Sequence, residues 1–269
     1  MKISKISKIE NKNLKIESSL LIDGILVGLA AGIVGASYRL LIGYSEKLVH
    51  YTADFIKTGL IYKIGLLLIL ILLALFSGFL LKREPMASGS GIPQVSAEIT
   101  GRLNSNPLRV LIYKITGGLT ASLGGLSLGR EGPSIQLGAM SGKLVSRILK
   151  KDSVKEKYLI TCGASAGLSI AFGAPLAGVL FSIEEVHKQI TKKIVICCFS
   201  AAVVANIVGQ YIFGLTAIFK FPEIHYVEVS IYPWVVLLGI LLGIFGTFYN
   251  VTIKILFKIY EYFRLNIVF

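Results

Sequence analysis

Apolar residues in this chain come in long unbroken runs, not in the one-faced patterns of a water-soluble fold. Ile64 to Leu81 (IGLLLILILLALFSGFLL) is eighteen residues without one charge, close to the ~20 residues that cross a hydrocarbon core as a helix. Gly24–Tyr38, Leu159–Ile183, Ile194–Ala217 and Ile231–Tyr249 are nearly as apolar. One such run could be a buried core helix, but five in one chain read as membrane spans. The pattern predicts a polar leader over 1–19, a long helix from about Leu20 to Phe55, and a second over Ile61–Leu81. It then changes. From Ser88 to Val186, glycine, serine and proline break every apolar segment, as in SGSGIPQ, TGGLTASLGGLSLGREGPS, TCGASAGLS and FGAPLAG. In a membrane, broken backbone is tolerated only where it is buried in protein or lines a watery path, so interrupted segments point at a transport site. The cluster KKDSVKEK (150–157) reads as a solvated loop. The fold class is all-α and polytopic.

Gly28, Gly32, Gly35 and Tyr38 recur as Gly239, Gly243, Gly246 and Tyr249, each offset by 211. Small residues at helical spacing suit close packing of membrane helices. A four-position match in register, followed both times by a Lys- and Tyr-bearing continuation, favours duplication. On that reading 20–217 is a first repeat, and 218–269 carries the first helix of a second.

Composition agrees. The chain has 54% hydrophobic and 16% charged residues and a mean hydropathy of +0.73, against about 25% charged residues in soluble domains. The net charge of +13 is no sign of nucleic acid, because Lys2, Lys5, Lys8, Lys12 and Lys15 crowd the N-terminus while Lys82 and Arg83 close the second span. Basic residues gather on the cytoplasmic side, so a multi-pass cell-membrane protein with its N-terminus inside is expected. Cys162, Cys197 and Cys198 lie in apolar runs and read as small core residues. His50, His187 and His225 are scattered at segment ends as solvated or interfacial groups. No cofactor and no metal is expected. No phosphate loop or Ser/His/Asp arrangement is visible, so an enzyme reading has no anchor.

Two motifs carry chemistry: Gly89-Ser90-Gly91-Ile92-Pro93 and Gly129-Arg130-Glu131-Gly132-Pro133. Proline after glycines, where an apolar segment resumes, marks a helix N-terminus. Such a terminus presents unpaired N–H groups and a positive dipole end, which favour an anion. Ser90 can donate a further hydrogen bond. Two starts converging in the membrane would hold an anion without a full positive charge, weakly enough to release it. Glu131 is a carboxylate inside such a segment, a functional candidate by default. Its carboxylate can take the anion position itself and leave when protonated, which couples a proton to an anion. The structural alternative is an ion pair with Arg130. Glu184 and Glu185, at the end of another apolar run, read as an interfacial helix end facing Lys188, Lys192 and Lys193.

At these motifs the sequence resembles the CLC family of voltage-gated chloride channels and chloride/proton exchangers. GSGIP (89–93) and GREGP (129–133) match two of that family's three signatures, and GASAGLSIAFGAPLAGVLFSIEE (163–185) resembles the segment that follows. The resemblance implies an inverted-repeat homodimer of broken, tilted helices, one pore per subunit. It implies an anion site at Ser90, Gly91, Ile92, Gly129, Arg130, Glu131 and Gly132, with Glu131 as gate, and Glu131 and Glu185 as proton-transfer groups. Glu185 favours exchanger over channel. The third signature, Gly-x-Phe-x-Pro, is absent. The expectation is therefore a chloride/proton antiporter whose second half-pathway is missing here, working as a homodimer or with a partner chain that supplies the second repeat. The alternatives are half of a passive channel, or a truncated remnant that transports nothing.

Overall fold

The first helix, α1, runs from Lys2 to Ile56 in a computed structural model that describes residues 2–56, 59–215 and 228–262. The leader expected over 1–19 is thus part of α1. Its isoleucines at 3, 6 and 9 recur at helical spacing, and neither glycine nor proline occurs before Gly24, so nothing interrupts propagation. α2 spans Leu60–Arg83 and ends on Lys82 and Arg83. The broken region follows as α3 (Ile92–Ile99), α4 (Pro107–Leu123), α5 (Glu131–Ile148), α6 (Ser153–Phe172) and α7 (Pro175–Phe181). A π-helical turn covers Ser182–His187, and α8 spans Lys192–Phe213.

Two boundaries differ from the sequence pattern. The cluster 150–157 is a loop only as far as Asp152, whose side chain accepts the Lys155 N–H at 2.8 Å and caps α6. An N-cap aspartate satisfies an orphan amide of the first turn, so the charged residues after it are helical. The apolar run Leu159–Ile183 is divided where Gly173 takes a left-handed conformation (φ 65°) and Pro175 opens α7.

The chain divides into two compact units, residues 1–218 and 219–269. In the first, α5 and α6 form the centre. Residues 134–143 of α5 and 159–171 of α6 are buried without exception. Glycine makes this possible: a Cβ on Gly138 would stand 2.1 Å from the Gly163 carbonyl oxygen, and one on Gly167 would stand 2.1 Å from that of Ser134. The two backbones touch directly, the geometry small residues permit between membrane helices. α1 lies on α8 by the same device, since a Cβ on Gly28 would meet the Ala201 carbonyl at 2.6 Å. Gly35 faces Ile170 of α6, and Tyr38, one turn on, is buried against Gly118 of α4. The second unit contains α9 (Tyr232–Tyr262), which carries the other copy of the glycine pattern.

Four helical stretches among the described residues are long and apolar enough to cross a membrane: Glu17–Thr52, Leu60–Arg83, Lys192–Phe213 and Val229–Tyr262. The three cysteines are buried and unbridged. His50 is exposed, His187 is half-buried against Thr161 at 2.8 Å, and His225 lies outside the described residues.

Candidate functional site

α3 and α5 both begin where the glycine–proline motifs predict, with Ile92 and Glu131 as their first residues. Gly91 has φ 92°, a left-handed backbone that favours glycine. A Cβ there would also stand 2.5 Å from Gln136 Oε1 on α5. Gly129 likewise turns left-handed (φ 68°), and a Cβ on it would meet Glu131 Oε2 at 2.7 Å.

The two helix starts are in contact. A Cβ on Gly132 would stand 2.7 Å from the Ser90 carbonyl oxygen and 3.2 Å from Ser90 Cα. Ser90 therefore meets Gly132, and Gly91 meets Gln136 about one turn further along α5. Ser90 and Gly129 are exposed, while Arg130, Glu131 and Gly132 are half-buried, so the cluster is open on one side. The Ser90 Oγ accepts the Ile92 N–H at 3.4 Å, which leaves its proton free to donate. The Glu131 carboxylate accepts the backbone N–H of Arg130 at 3.0 Å. It bends back onto that one amide at its own helix start, and no side-chain ion pair joins it to Arg130 among the described residues. Chemically the cluster offers amide hydrogens, a hydroxyl and a carboxylate.

Glu185 belongs to another part of the fold, the π-turn after α7, where it is exposed beside Glu184. No ion pair links either residue to Lys188, Lys192 or Lys193 among the described residues; Lys192 instead pairs with Glu17 at 3.0 Å.

The polar groups that hold the Ser90 loop escape a motif reading. Lys114, buried in α4, donates to the carbonyls of Ala87 (3.0 Å) and Gly89 (2.8 Å). Gln136 donates to the Met86 carbonyl at 2.7 Å, and Gln94 to that of Ser88 at 2.9 Å. Lys114 brings an amino group to the residue preceding Ser90, so helix dipoles do not act alone here. The available signal was a lone lysine in the largely apolar stretch VLIYKITGG, because an ionisable group there demands a partner. Lys114→Met should orphan the buried Ala87 carbonyl at a cost of about 1–3 kcal/mol. If the cluster holds an anion, the change should also weaken anion binding several-fold in calorimetric titration of the purified protein. Unchanged affinity would remove Lys114 from the site.

The fold and the paired helix starts define an all-α, polytopic membrane protein built on broken helices. A family model described as voltage gated chloride channel matches residues 73–269, and the chain belongs to that family. It is 35% identical over 260 residues to the H(+)/Cl(-) exchange transporter ClcA of Vibrio cholerae, covering 92% of this chain and 54% of that protein. The ClcA of Klebsiella pneumoniae is 32% identical over 240 residues, covering 86% of this chain and 50% of that protein. The chain thus spans about half the length of the curated relatives it matches. Among solved structures, a slow cyanobacterial Cl-/H+ antiporter superposes with a TM-score of 0.82 at 33% identity, covering 91% of this chain and 58% of that one. A CLC-type fluoride/proton antiporter gives a TM-score of 0.75 at 20% identity, covering 93% and 61%, a likeness of fold alone.

Proposed function

We propose that the chain takes part in exchange of chloride for protons across a membrane and contributes one half of the ion path. The single observation that supports this most is the Glu131 carboxylate folded onto the Arg130 amide, at a helix start that touches Ser90. A carboxylate held by amide hydrogens competes with a mobile anion for the same donors. Protonation removes its charge and most of its attraction to the helix end, so an anion enters as the proton binds. In this scheme Ser90, Gly91, Ile92, Gly129, Arg130 and Gly132 form the anion site. Glu131 gates it and carries the proton on one side, and Glu185 carries it on the other. The exchange activity of the ClcA relatives and of the cyanobacterial antiporter supports the same assignment.

The positive-inside pattern supports an N-terminus in the cytoplasm. The offset of 211 between the glycine patterns makes α9 the first helix of a second repeat. The remainder of the path then belongs to that repeat, and the assembly is a dimer. The test is flux from proteoliposomes that hold the chain assembled with the rest of the second repeat under a chloride gradient, with chloride and pH electrodes read together. Chloride efflux that drives protons the opposite way is expected; flux of neither ion would sink the proposal. Glu185→Gln should slow proton movement more than chloride movement. Equal losses of both would return Glu185 to a plain helix end.

A further inference from the structure

We propose that the buried Glu98–Lys143 ion pair is a register pin that holds α3 parallel to α5, making both residues positioning residues for anion binding. This rests on the anion site described above. α3 is eight residues long, about 12 Å at ~1.5 Å per residue. So short a helix has little internal stiffness of place, and its direction depends on what holds its ends.

Both ends are held by one face of α5. At the start, Gly91 packs on Gln136, which also donates to the Met86 carbonyl. At the finish, Glu98 pairs with Lys143. The two contacts are seven residues apart on each helix, two turns of each. The helices therefore run in the same direction and in register, which brings both N-termini to the same end, where Gly132 meets Ser90. Neighbouring groups lock the finish further. The Glu98 carboxylate accepts the Ser105 N–H at 2.6 Å. Asn104 Oδ1 accepts from Lys143 at 3.0 Å and from Arg147 at 2.9 Å.

Stability does not explain this arrangement. Glu98 and Lys143 are both nearly inaccessible, at 2% and 1% side-chain exposure. Two charges so deep cost more desolvation than an apolar pair of the same volume, and the best-attested use of buried polar pairs is to fix register. A slip of α3 by one residue would turn Glu98 away from Lys143 and leave two unpaired charges in the core, which excludes the slipped packing. The pair is neutral as a unit, so its effect on a distant anion is chiefly geometric.

The experiment uses the whole chain, purified in detergent and titrated calorimetrically with potassium chloride and potassium nitrate. The double variant Glu98→Gln/Lys143→Met removes both charges and keeps an acceptor for the Ser105 N–H. It is expected to remain monodisperse with native helical circular dichroism, to bind chloride at least tenfold more weakly, and to change the chloride-to-nitrate affinity ratio. A loss of stability alone would leave that ratio in place. Should the double variant fail to fold, Glu98→Asp keeps the pair but shortens it by one methylene, with an expected loss of about threefold and a shifted ratio. Wild-type affinity and ratio in whichever variant folds would overturn the register role while the anion site stands. No chloride binding by the unmodified chain would overturn the anion site, and this role with it.

Discussion

Glu131→Gln is expected to abolish proton coupling completely while chloride continues to pass. The amide side chain keeps the size of the carboxylate and can still lie against the helix start, but it has no charge to compete for the amide donors and no proton to deliver. The Arg130 N–H now accommodating Glu131 at 3.0 Å becomes available to the mobile anion. Chloride flux through proteoliposomes should persist and proton flux should fall to background. Chloride and proton movement at the unmodified ratio would show that Glu131 is not the coupling group.

Gly163→Val is expected to eliminate folded protein. A Cβ at this position would stand 2.2 Å from the Gly138 carbonyl oxygen, and the obstacle is backbone on both sides. Ordinary overpacking costs about 1–3 kcal/mol because side chains can shift; here the only relief is to part α5 from α6. The damage would spread from the core to the site, since α5 carries Glu131 and Gly132 at its start and Gln136 and Lys143 along its length. Size-exclusion chromatography should show aggregate in place of the folded peak. Gly65→Ala is the matched control. It lies on α2 with nothing within 4 Å of an added Cβ, and alanine is the better helix former. A monodisperse Gly163→Val protein would mean the two helices are not locked through their backbones.

The helix starts were legible because the cause is local. Glycine admits the left-handed turns at residues 91 and 129, and proline at 93 and 133 suits only the first turn of a helix, so a short stretch of sequence suffices to place them. The interrupted segments from Ser88 to Val186 were legible for the same reason. Where local signals competed, the sequence pattern was less exact. The lysine-rich leader looked separate from the first apolar helix, yet no helix breaker divides them, and the backbone continues from Lys2. The charged cluster 150–157 looked like a loop, but Asp152 is an N-cap, and a cap starts a helix whatever the charge beyond it.

The sequence alone therefore determined that this is an all-α membrane protein with two glycine–proline helix starts and an acid at one of them. Each of those facts follows from hydrophobic run length and from backbone preferences over a few neighbouring residues. Only the tertiary structure decided that the starts meet, that Glu131 turns onto the Arg130 amide instead of the Arg130 side chain, and that Lys114, Gln136, Glu98 and Lys143 hold α3 in place. Those contacts join residues up to 50 positions apart. A chain can carry a lysine or glutamine at many such positions without breaking any local rule, and the partner is selected only when helices pack and a buried polar group must be satisfied.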